Sequence, residues 1–341
     1  RTAPTRQAEV GEKTQEEKLY EEPLATNNGE INWLFPINEA QASPVIEAFE
    51  AEYPGLKIVH TQKSTSEVTE QLLIEHEAGK LSADVADPGR DTRLFDRGIF
   101  ADSTDIFDDV GVPEGARYAD GAAMLNVPLA HGVIYNTDRV TGDDIPQTYD
   151  DLLDPKWKGN LVLEDRLKGF IYLTDLPEYN GRYDNLWTED QIAEYLGKMA
   201  AQEPKILHGN TSVWQDVASG ESAISPDVNF ISIGSAISAG PVELAPVTPN
   251  AIEQFLVGVV EGGPNTPGGK LFLRWFQSPT QGLPIRVEVQ PGTSLDPATG
   301  DFMAERAAKF DLKIGYNGIE IADHFSRLQT KYREILGIPT S

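Results

Sequence analysis

The sequence has no cysteine among its 341 residues. Disulfide bonds, thiolate metal sites and a cysteine nucleophile are therefore excluded. It also has no run of 18 or more apolar residues, so it offers no transmembrane helix. Residues 1–28 lack the apolar segment of a signal peptide, and because the chain begins with Arg1 we expect that an export signal has been removed.

Basic residues are scarce. The chain has 28 Lys and Arg against 54 Asp and Glu, which gives a formal net charge of −26. Such a chain repels phosphate backbones and anionic membrane surfaces, so we predict no nucleic-acid binding. The charge fits solubility, as in a salty habitat, and it also fits attraction of cationic solutes.

Catalytic and metal-binding motifs are missing as well. The five histidines form no His-Glu-x-x-His pattern, and there is no Gly-x-Ser-x-Gly elbow and no Walker sequence. Paired carboxylates are too frequent in so acidic a chain to single out a glycosidase site. We therefore predict no enzyme, no cofactor and no metal, with a secreted hydrolase as a remote alternative.

What is present is an α/β pattern. Residues 1–29 are polar and are predicted to be a flexible tail. From residue 30, short apolar runs alternate with helix signals, among them Ser43-Pro44 as a helix start and Ser64-x-x-Glu67 as a capping box. This alternation predicts parallel strands joined by crossover helices. A chain of this length exceeds what one core usually supports, so two lobes are expected.

Two segments are the most specific. They are Ile134-Tyr-Asn-Thr-Asp-Arg139 and, further on, Asp151-Leu-Leu-Asp-Pro-Lys-Trp-Lys-Gly159. With the Glu-Tyr-Pro-Gly end of the first helix and the stretch Val260-Glu-Gly-Gly-Pro-Asn-Thr-Pro-Gly-Gly, they resemble extracellular solute-binding proteins of ABC importers. The resemblance is to the branch named for ferric-iron-binding proteins, and it covers about residues 30–290.

The resemblance implies a two-lobed type II periplasmic binding protein fold, in which each lobe is a mostly parallel sheet flanked by helices. By analogy, lobe one takes 30–131 and 251–290, and lobe two takes 132–250 and 291–341, with hinges near His131 and Pro249. It further implies a monomeric receptor that closes on a small solute and delivers it to a membrane permease and its ATPase. The protein would be periplasmic or extracellular, and peripheral to the membrane through the permease or a lost lipid anchor.

Candidate ligand-binding residues follow from geometry. Ligands of open α/β sheets gather where strands end and helices begin. Each candidate has a plain structural alternative, namely a turn, a helix cap, a surface ion pair or core packing. The predicted set is Pro36, Asn38, Ser64, Thr65, Ser66, Arg90, His131, Asp165, Arg166, Trp214, Asp227 and Asn229.

Iron-binding members carry adjacent tyrosines where this chain has Asn229 and Phe230. That departure argues against ferric iron, for which phenolate oxygens are suitable ligands. The basic and hydroxyl groups of the set predict a small organic anion, carboxylated or phosphorylated. The alternatives are a cationic amine such as a polyamine, held by Asp87, Asp165, Asp227 and Trp214, and ferric iron at Tyr135 or Tyr172.

Overall fold

The structure is a computed structural model that describes residues 15–339. Its strands are short except for two, and its helices surround them. The strands are β1 Glu30–Phe35, β2 Lys57–Gln62, β3 Val85–Ala86, β4 Arg117–Tyr118, β5 Ala123–Asn136, β6 Val162–Glu164, β7 Thr174–Asp175, β8 Trp187–Thr188, β9 Lys205–Leu207, β10 Ile224–Asn229, β11 Val242–Leu244, β12 Asn250–Val259 and β13 Ile314–Gly315.

Helices connect these strands in the alternating order that the sequence predicts. They are α1 Gln15–Ala25, α2 Glu39–Glu52, α3 Thr65–Glu77, α4 Thr92–Asp96, α5 Thr104–Asp109, α6 Lys168–Tyr172, α7 Glu189–Ala200, α8 Asn210–Ala218, α9 Phe230–Ala239, α10 Thr266–Gln277, α11 Gly282–Val289, α12 Phe302–Lys309 and α13 Ile321–Ile335. Among the described residues, no helix is both long and apolar enough to cross a membrane.

The largest sheet has the order β10-β5-β12-β3-β1-β2. β1 pairs in parallel with β2 and with β3, which confirms the predicted strand–helix–strand unit. The long strands β5 and β12 pair with each other in antiparallel fashion, and β10 pairs antiparallel with β5. β5 therefore lies between β10 and β12 in this sheet.

Buried side chains form two large hydrophobic clusters. One surrounds Trp33 and contains Phe49, Phe272 and Trp275, whose rings contact one another. The other lies around Leu196 and Tyr332. Together they hold the sheet and the later α/β unit in place, because burial of apolar surface is the main favourable contribution to folding.

Of two helix starts predicted from local sequence, the structure confirms the one at α3 and places the one at α2 earlier in the chain. Ser64 accepts a hydrogen bond from the backbone N–H of Glu67, and the Glu67 side chain accepts from the Ser64 N–H, as the capping box predicts. The predicted helix start at Ser43-Pro44 is wrong, since α2 begins at Glu39. Asn38 and Gln41 form a capping box of their own, and it starts the helix earlier.

The predicted tail also differs from the structure where the structure describes it. Residues 15–25 form α1, and the Tyr20 hydroxyl donates a hydrogen bond to the Pro54 carbonyl. The Asn265 side chain donates to the carbonyls of Pro23 and Thr26. These contacts attach α1 to the start of α10, so residues 15–29 have a helical structure that the sequence analysis did not predict, while the flexibility of the tail stays a prediction. Residues 1–14 lie outside the described part of the chain.

Candidate functional site

A cavity of about 620 Å³ lies where strand ends and helix starts converge. Thr65 and Ser66 at the start of α3, and Arg90 after β3, form one side of it. Lys168 and Tyr172 of α6 form another side, and Glu253 of β12 and the first turn of α13 complete the wall. Its size is within the range of small-molecule binding sites, about 300–1,000 Å³. We call it the cleft cavity.

The turn after β3 positions Arg90. The buried Asp87 carboxylate accepts hydrogen bonds from the Thr65 hydroxyl at 2.9 Å and from the Gly89 N–H at 2.8 Å. A side chain at Gly89 would come within 2.4 Å of the Thr65 methyl group, so this turn requires glycine. The turn is thereby attached to α3, and the Arg90 guanidinium lies 4.6 Å from the centre of the Tyr172 ring. This is cation–π distance.

A second tight turn positions Lys168. Leu167 has left-handed backbone angles, and α6 begins at the next residue. The Gly169 N–H donates to Asp227 Oδ2 at 3.0 Å. A Cβ at Gly169 would lie 2.3 Å from Asp227 Oδ1, so only glycine allows this approach. Lys168 Nζ then lies 2.5 Å from Glu253 Oε1.

Next to the cleft cavity, four charged groups are joined in series. His131 Nδ1 is 2.6 Å from Asp227 Oδ1, and His131 Nε2 is 3.6 Å from Glu253 Oε2, which is an ion-pair distance rather than a hydrogen bond. Glu253 continues to Lys168. His131, Asp227, Glu253 and Lys168 are called the crossing cluster here. His131, Asp227 and Glu253 lie on the neighbouring strands β5, β10 and β12, and Lys168 lies in α6.

The crossing cluster changes the acidity of its members. Burial alone would lower the pKa of His131, but the Asp227 and Glu253 carboxylates outweigh burial and raise this pKa to about 9. Burial would raise the pKa of Glu253, but His131, Lys168 and Arg90 lower it to about 2. At neutral pH the histidine is therefore charged, and it lies between Asp227 and the ionised Glu253 carboxylate.

Burial raises the pKa of two residues at or beside the cleft cavity, and their neighbours only partly oppose this rise. Desolvation raises the pKa of Asp87 to about 6, although the Gly89 and Thr65 hydrogen bonds and the charge of Arg90 oppose it. Burial likewise raises the pKa of Tyr172, with Arg90 opposing. The Tyr172 phenol therefore keeps its proton at neutral pH.

Five of the predicted ligand-binding residues come together here. Thr65, Ser66 and Arg90 line the cleft cavity. His131 and Asp227 belong to the crossing cluster, which reaches the cavity through Glu253 and Lys168. The rule that ligands gather at strand ends and helix starts selected Thr65, Ser66 and Arg90. His131 was predicted as a hinge and Asp227 by its place in the segment that carries tyrosines in iron-binding members, and the structure brings all five to one place.

The other predicted residues lie elsewhere or have structural partners. Asn38, Ser64 and Asn229 cap α2, α3 and α9. The remaining four lie outside the wall of the cleft cavity. Asp165 contacts His208, and Arg166 pairs with Glu164. Trp214 packs against the hydrophobic core, and Pro36 lines a separate cavity.

Sequence reasoning missed Lys168 and Glu253, and it considered Tyr172 only as a ligand for iron. Glu253 carried a signal, because it is the one charged residue of the segment that forms β12. Lys168 had a weaker signal, as the residue before a glycine that follows a short strand. Neither signal states which residues meet, since β5, β10 and β12 are far apart along the chain.

The fold and the cleft define a class of protein, the type II periplasmic binding proteins, which hold a solute between two α/β units. The chain belongs to the bacterial extracellular solute-binding protein family, whose model matches residues 36–282. It is therefore a solute-binding protein of an ABC import system.

Known proteins similar to this chain differ in their cargo. Iron uptake protein A1 of Synechocystis is 26% identical over 279 residues, which are 75% of this chain and 74% of that protein. The ferric binding protein of Bordetella has a TM-score of 0.67 at 19% identity, over 90% of this chain and 98% of that one. The binding protein AfuA of Actinobacillus pleuropneumoniae, solved with fructose-6-phosphate, has a TM-score of 0.58 at 18% identity, over 92% and 100%. The two structures show the fold alone.

Proposed function

We propose that this protein captures a small organic anion, carboxylated or phosphorylated, in the cleft cavity and delivers it to a membrane permease and its ATPase. It does so without chemistry, as a monomer exported to the periplasm or the cell exterior. Binding closes two lobes, 30–131 with 251–290 and 132–250 with 291–341, around the solute. Closure of hinged lobes on a ligand is a common conformational change.

One observation carries the choice of an anion. Arg90 and Lys168 line the same cavity although they belong to different proposed lobes. An anion between them would attract both lobes, although the carboxylates of Glu70, Asp91, Glu253 and Asp323 line the cavity as well. Arginine binds carboxylates and phosphates through two parallel hydrogen bonds. Ser66 and Tyr172 lie on the same wall, and their hydroxyl groups can add donors, whereas the Thr65 hydroxyl already donates to Asp87.

Arg90 and Lys168 each have a contact within the protein that a bound anion could replace. Lys168 pairs with Glu253, and Arg90 lies on the Tyr172 ring, so each basic group reaches across the proposed lobe boundary. A bound anion would compete with Glu253 for Lys168 and would accept hydrogen bonds from Arg90. The binding free energy depends on how much more strongly the anion binds Lys168 and Arg90 than Glu253 and Tyr172 do. A solute with more negative charge than a single carboxylate is therefore favoured.

Ferric iron is the second candidate, because one relative of the chain is an iron uptake protein. Within residues 15–339, no three His, Asp or Glu side chains are arranged to hold a metal ion. Iron bound to this protein would therefore depend on tyrosine phenolates, such as that of Tyr172, or on a chelating anion held by Arg90 and Lys168. Ferric citrate and citrate alone separate the two readings, since only the first contains the metal.

A thermal-shift screen tests the proposal. The probes are citrate, ferric citrate, a hexose phosphate and spermidine, the last because Glu70 and Asp323 also lie on the wall. A ligand at a hundredfold excess over its Kd stabilises by about 2.7 kcal/mol. We expect the anions to raise the melting temperature and spermidine to have no effect. Stabilisation by spermidine alone would overturn the proposal.

Variants then locate the site. Arg90→Gln and Lys168→Gln each remove one proposed contact, so each should weaken anion binding at least about tenfold, the loss expected for one charge-assisted hydrogen bond. Lys80→Gln is the matched control, since Lys80 is exposed and lies outside the wall of the cleft cavity. If Lys80→Gln weakened binding as much, the effect would be one of overall charge.

A further inference from the structure

A second cavity, of about 160 Å³, shares no lining residue with the cleft cavity. It lies between the segment after β1, the strands β5 and β12, and the helices α10 and α11. The apolar residues on its wall are Phe35, Pro36, Ile37, Val45, Val127, Leu129, Ile231, Phe255, Phe276 and Val289, and the polar ones are Gln41, Asn126, Arg286, Gln290 and Thr293. We call it the Arg286 cavity.

Arg286 is the charged residue on this wall, and it is only 5% exposed. Its Nη2 donates to the backbone oxygen and to the Oδ1 of Asn126, both at 2.7 Å. Its Nη1 donates to Gln277 Oε1 at 2.9 Å and to the Phe276 carbonyl at 3.2 Å. All of these acceptors are neutral, and within residues 15–339 no carboxylate forms an ion pair with this guanidinium.

This arrangement is unusual for a buried charge. Long charged side chains are almost never fully buried unless they are paired, because an ion loses its hydration when it leaves water. The chain is rich in carboxylates, with 54 acidic residues, yet none of them lines this cavity. Burial lowers the pKa of Arg286 to about 9, which still leaves it charged at neutral pH. Its positive charge is therefore solvated by amide oxygens alone.

The rest of the wall sets the size and polarity of a guest. Most of it is hydrocarbon, and the Phe276 ring lies 4.1 Å from the guanidinium carbon and covers one face of it. A cavity of about 150 Å³ lined by apolar side chains holds a molecule the size of benzene. The Arg286 cavity is of that size. Its guest would need one negative charge and one compact apolar group.

We propose that the Arg286 cavity is a binding site for a small apolar monocarboxylate. The carboxylate would pair with the Arg286 guanidinium in exchange for one of the amide or carbonyl oxygens that now accept from Nη1 and Nη2. The hydrocarbon part would contact Val45, Val127 and Phe276. A dianion such as phosphate is a poor guest, because the wall supplies one cation and few further donors. The site is separate from the cleft cavity in both residues and ligand class, so it goes beyond the transport function proposed above.

The guest has a route into the cavity. Pro36, Ile37, Gln41, Ile231 and Gln290 are each only partly buried, and they lie on the wall. Gln41 and Gln290 carry amide groups that can hydrogen-bond to the outer carboxylate oxygen or to water at this rim. Entry therefore requires movement of partly exposed side chains rather than of the β5 and β12 strands.

Isothermal titration calorimetry with benzoate at pH 7 tests the proposal, with benzamide as the neutral probe of the same shape. We expect benzoate to bind and benzamide to bind about ten- to a hundredfold more weakly, as the loss of one hydrogen bond to a charged group implies. Arg286→Met keeps an apolar stem and removes the charge, so it should abolish the preference for benzoate. Arg182→Met, at an exposed arginine away from the cavity, should leave binding unchanged.

Because Arg286→Met removes four hydrogen bonds, a second variant leaves Arg286 intact. Ile231→Trp enlarges a partly exposed residue of the rim and should block benzoate while the protein remains folded, as circular dichroism would verify. Equal affinity for benzoate and benzamide would overturn the proposal, as would the absence of any benzoate heat at millimolar concentration. Binding of benzoate that Ile231→Trp leaves unchanged would overturn it as well.

Discussion

The crossing cluster and the Arg286 cavity are both buried, and both contain a cation, but their charges are balanced in different ways. In the crossing cluster His131 and Lys168 alternate with the carboxylates of Asp227 and Glu253. In the Arg286 cavity a single guanidinium is surrounded by amide and carbonyl oxygens. The first arrangement is complete within the protein. The second has, among residues 15–339, no carboxylate that pairs with its formal charge.

Removal of one carboxylate from the crossing cluster should have the largest effect. Glu253→Ala leaves Lys168 and His131 with one counter-charge fewer in a buried position. Breaking a buried ion pair in this way costs about 3–5 kcal/mol of stability. Arg286→Met leaves orphaned acceptors but no orphaned charge, so it should cost less, about 1–3 kcal/mol. Chemical denaturation of both variants measures the difference.

The control for that comparison is Glu243→Ala, which breaks a half-exposed pair with Arg306. Exposed pairs contribute about 0–1 kcal/mol, so the loss should be small. If Arg286→Met destabilised the protein as much as Glu253→Ala, the neutral acceptors would balance the arginine as completely as carboxylates do. The contrast between the two regions would then be wrong.

Above about pH 6.5, the pH dependence of stability should come from the crossing cluster. The pKa of His131 is about 9 in the folded protein and about 6.5 when unfolded. A raised pKa means that the stabilisation is complete below about pH 6.5 and is lost as the pH rises through 9. The full effect is on the order of 3 kcal/mol. Glu253, with a folded pKa of about 2, loses its contribution as the pH falls below 4.5 towards 2.

Denaturation at pH 6 and pH 9 measures this loss. Both shifts describe the same contact from its two ends, so they are not added. The raised pKa of Asp87 acts at lower pH, because it removes stability as the pH rises through about 6. His131→Asn should flatten the curve above pH 6.5. Arg286→Met should keep the fall between pH 6 and 8, because Arg286 is charged throughout that interval. A flat curve for Arg286→Met would assign the pH dependence to the wrong region.

The backbone of Gly169 approaches the Asp227 carboxylate of the crossing cluster closely. Gly169→Ala would place a Cβ 2.3 Å from Asp227 Oδ1 and push apart the Lys168 turn and β10. Overpacking of this kind costs about 1–3 kcal/mol. Gly197 is the matched control, since it lies inside α7 with no atom within 4 Å of an added Cβ. Gly197→Ala should stabilise by about 0.5–1 kcal/mol, as measured by thermal unfolding of both variants. Equal effects of the two substitutions would contradict the tight contact.

Features that depend on neighbouring residues were predictable from the sequence. The Ser64 and Thr188 capping boxes are complete within four residues, and the structure has both. Even so, a local signal can compete with another. The Ser43-Pro44 pair looked like a helix start, but the Asn38 and Gln41 box precedes it and begins the helix first.

The crossing cluster was predicted only in part because its members meet through sheet pairing. His131 and Asp227 were selected as residues at a crossing and near a strand end, but nothing near either of them in the sequence indicates Glu253. Its contact with His131 requires the antiparallel pairing of β12 with β5. Arg286 gave no signal at all, since one arginine in a helix of eight residues resembles any surface arginine. Burial without a carboxylate is a property of the tertiary structure alone.

The smallest change in stability is expected when the Arg286 cavity is given the carboxylate that it lacks. Asn126→Asp keeps the oxygen that accepts from Arg286 and from Gln277, and it adds a negative charge. A new buried ion pair gains attraction and loses hydration in similar amounts, so stability should change by less than about 1 kcal/mol. Benzoate binding, however, should weaken at least about tenfold, because the arginine is already neutralised. Calorimetry with benzoate on Asn126→Asp, beside its denaturation curve, separates the two effects. Unchanged binding would mean that the charge of Arg286 does not attract the guest, and the two regions would then differ in structure but not in function.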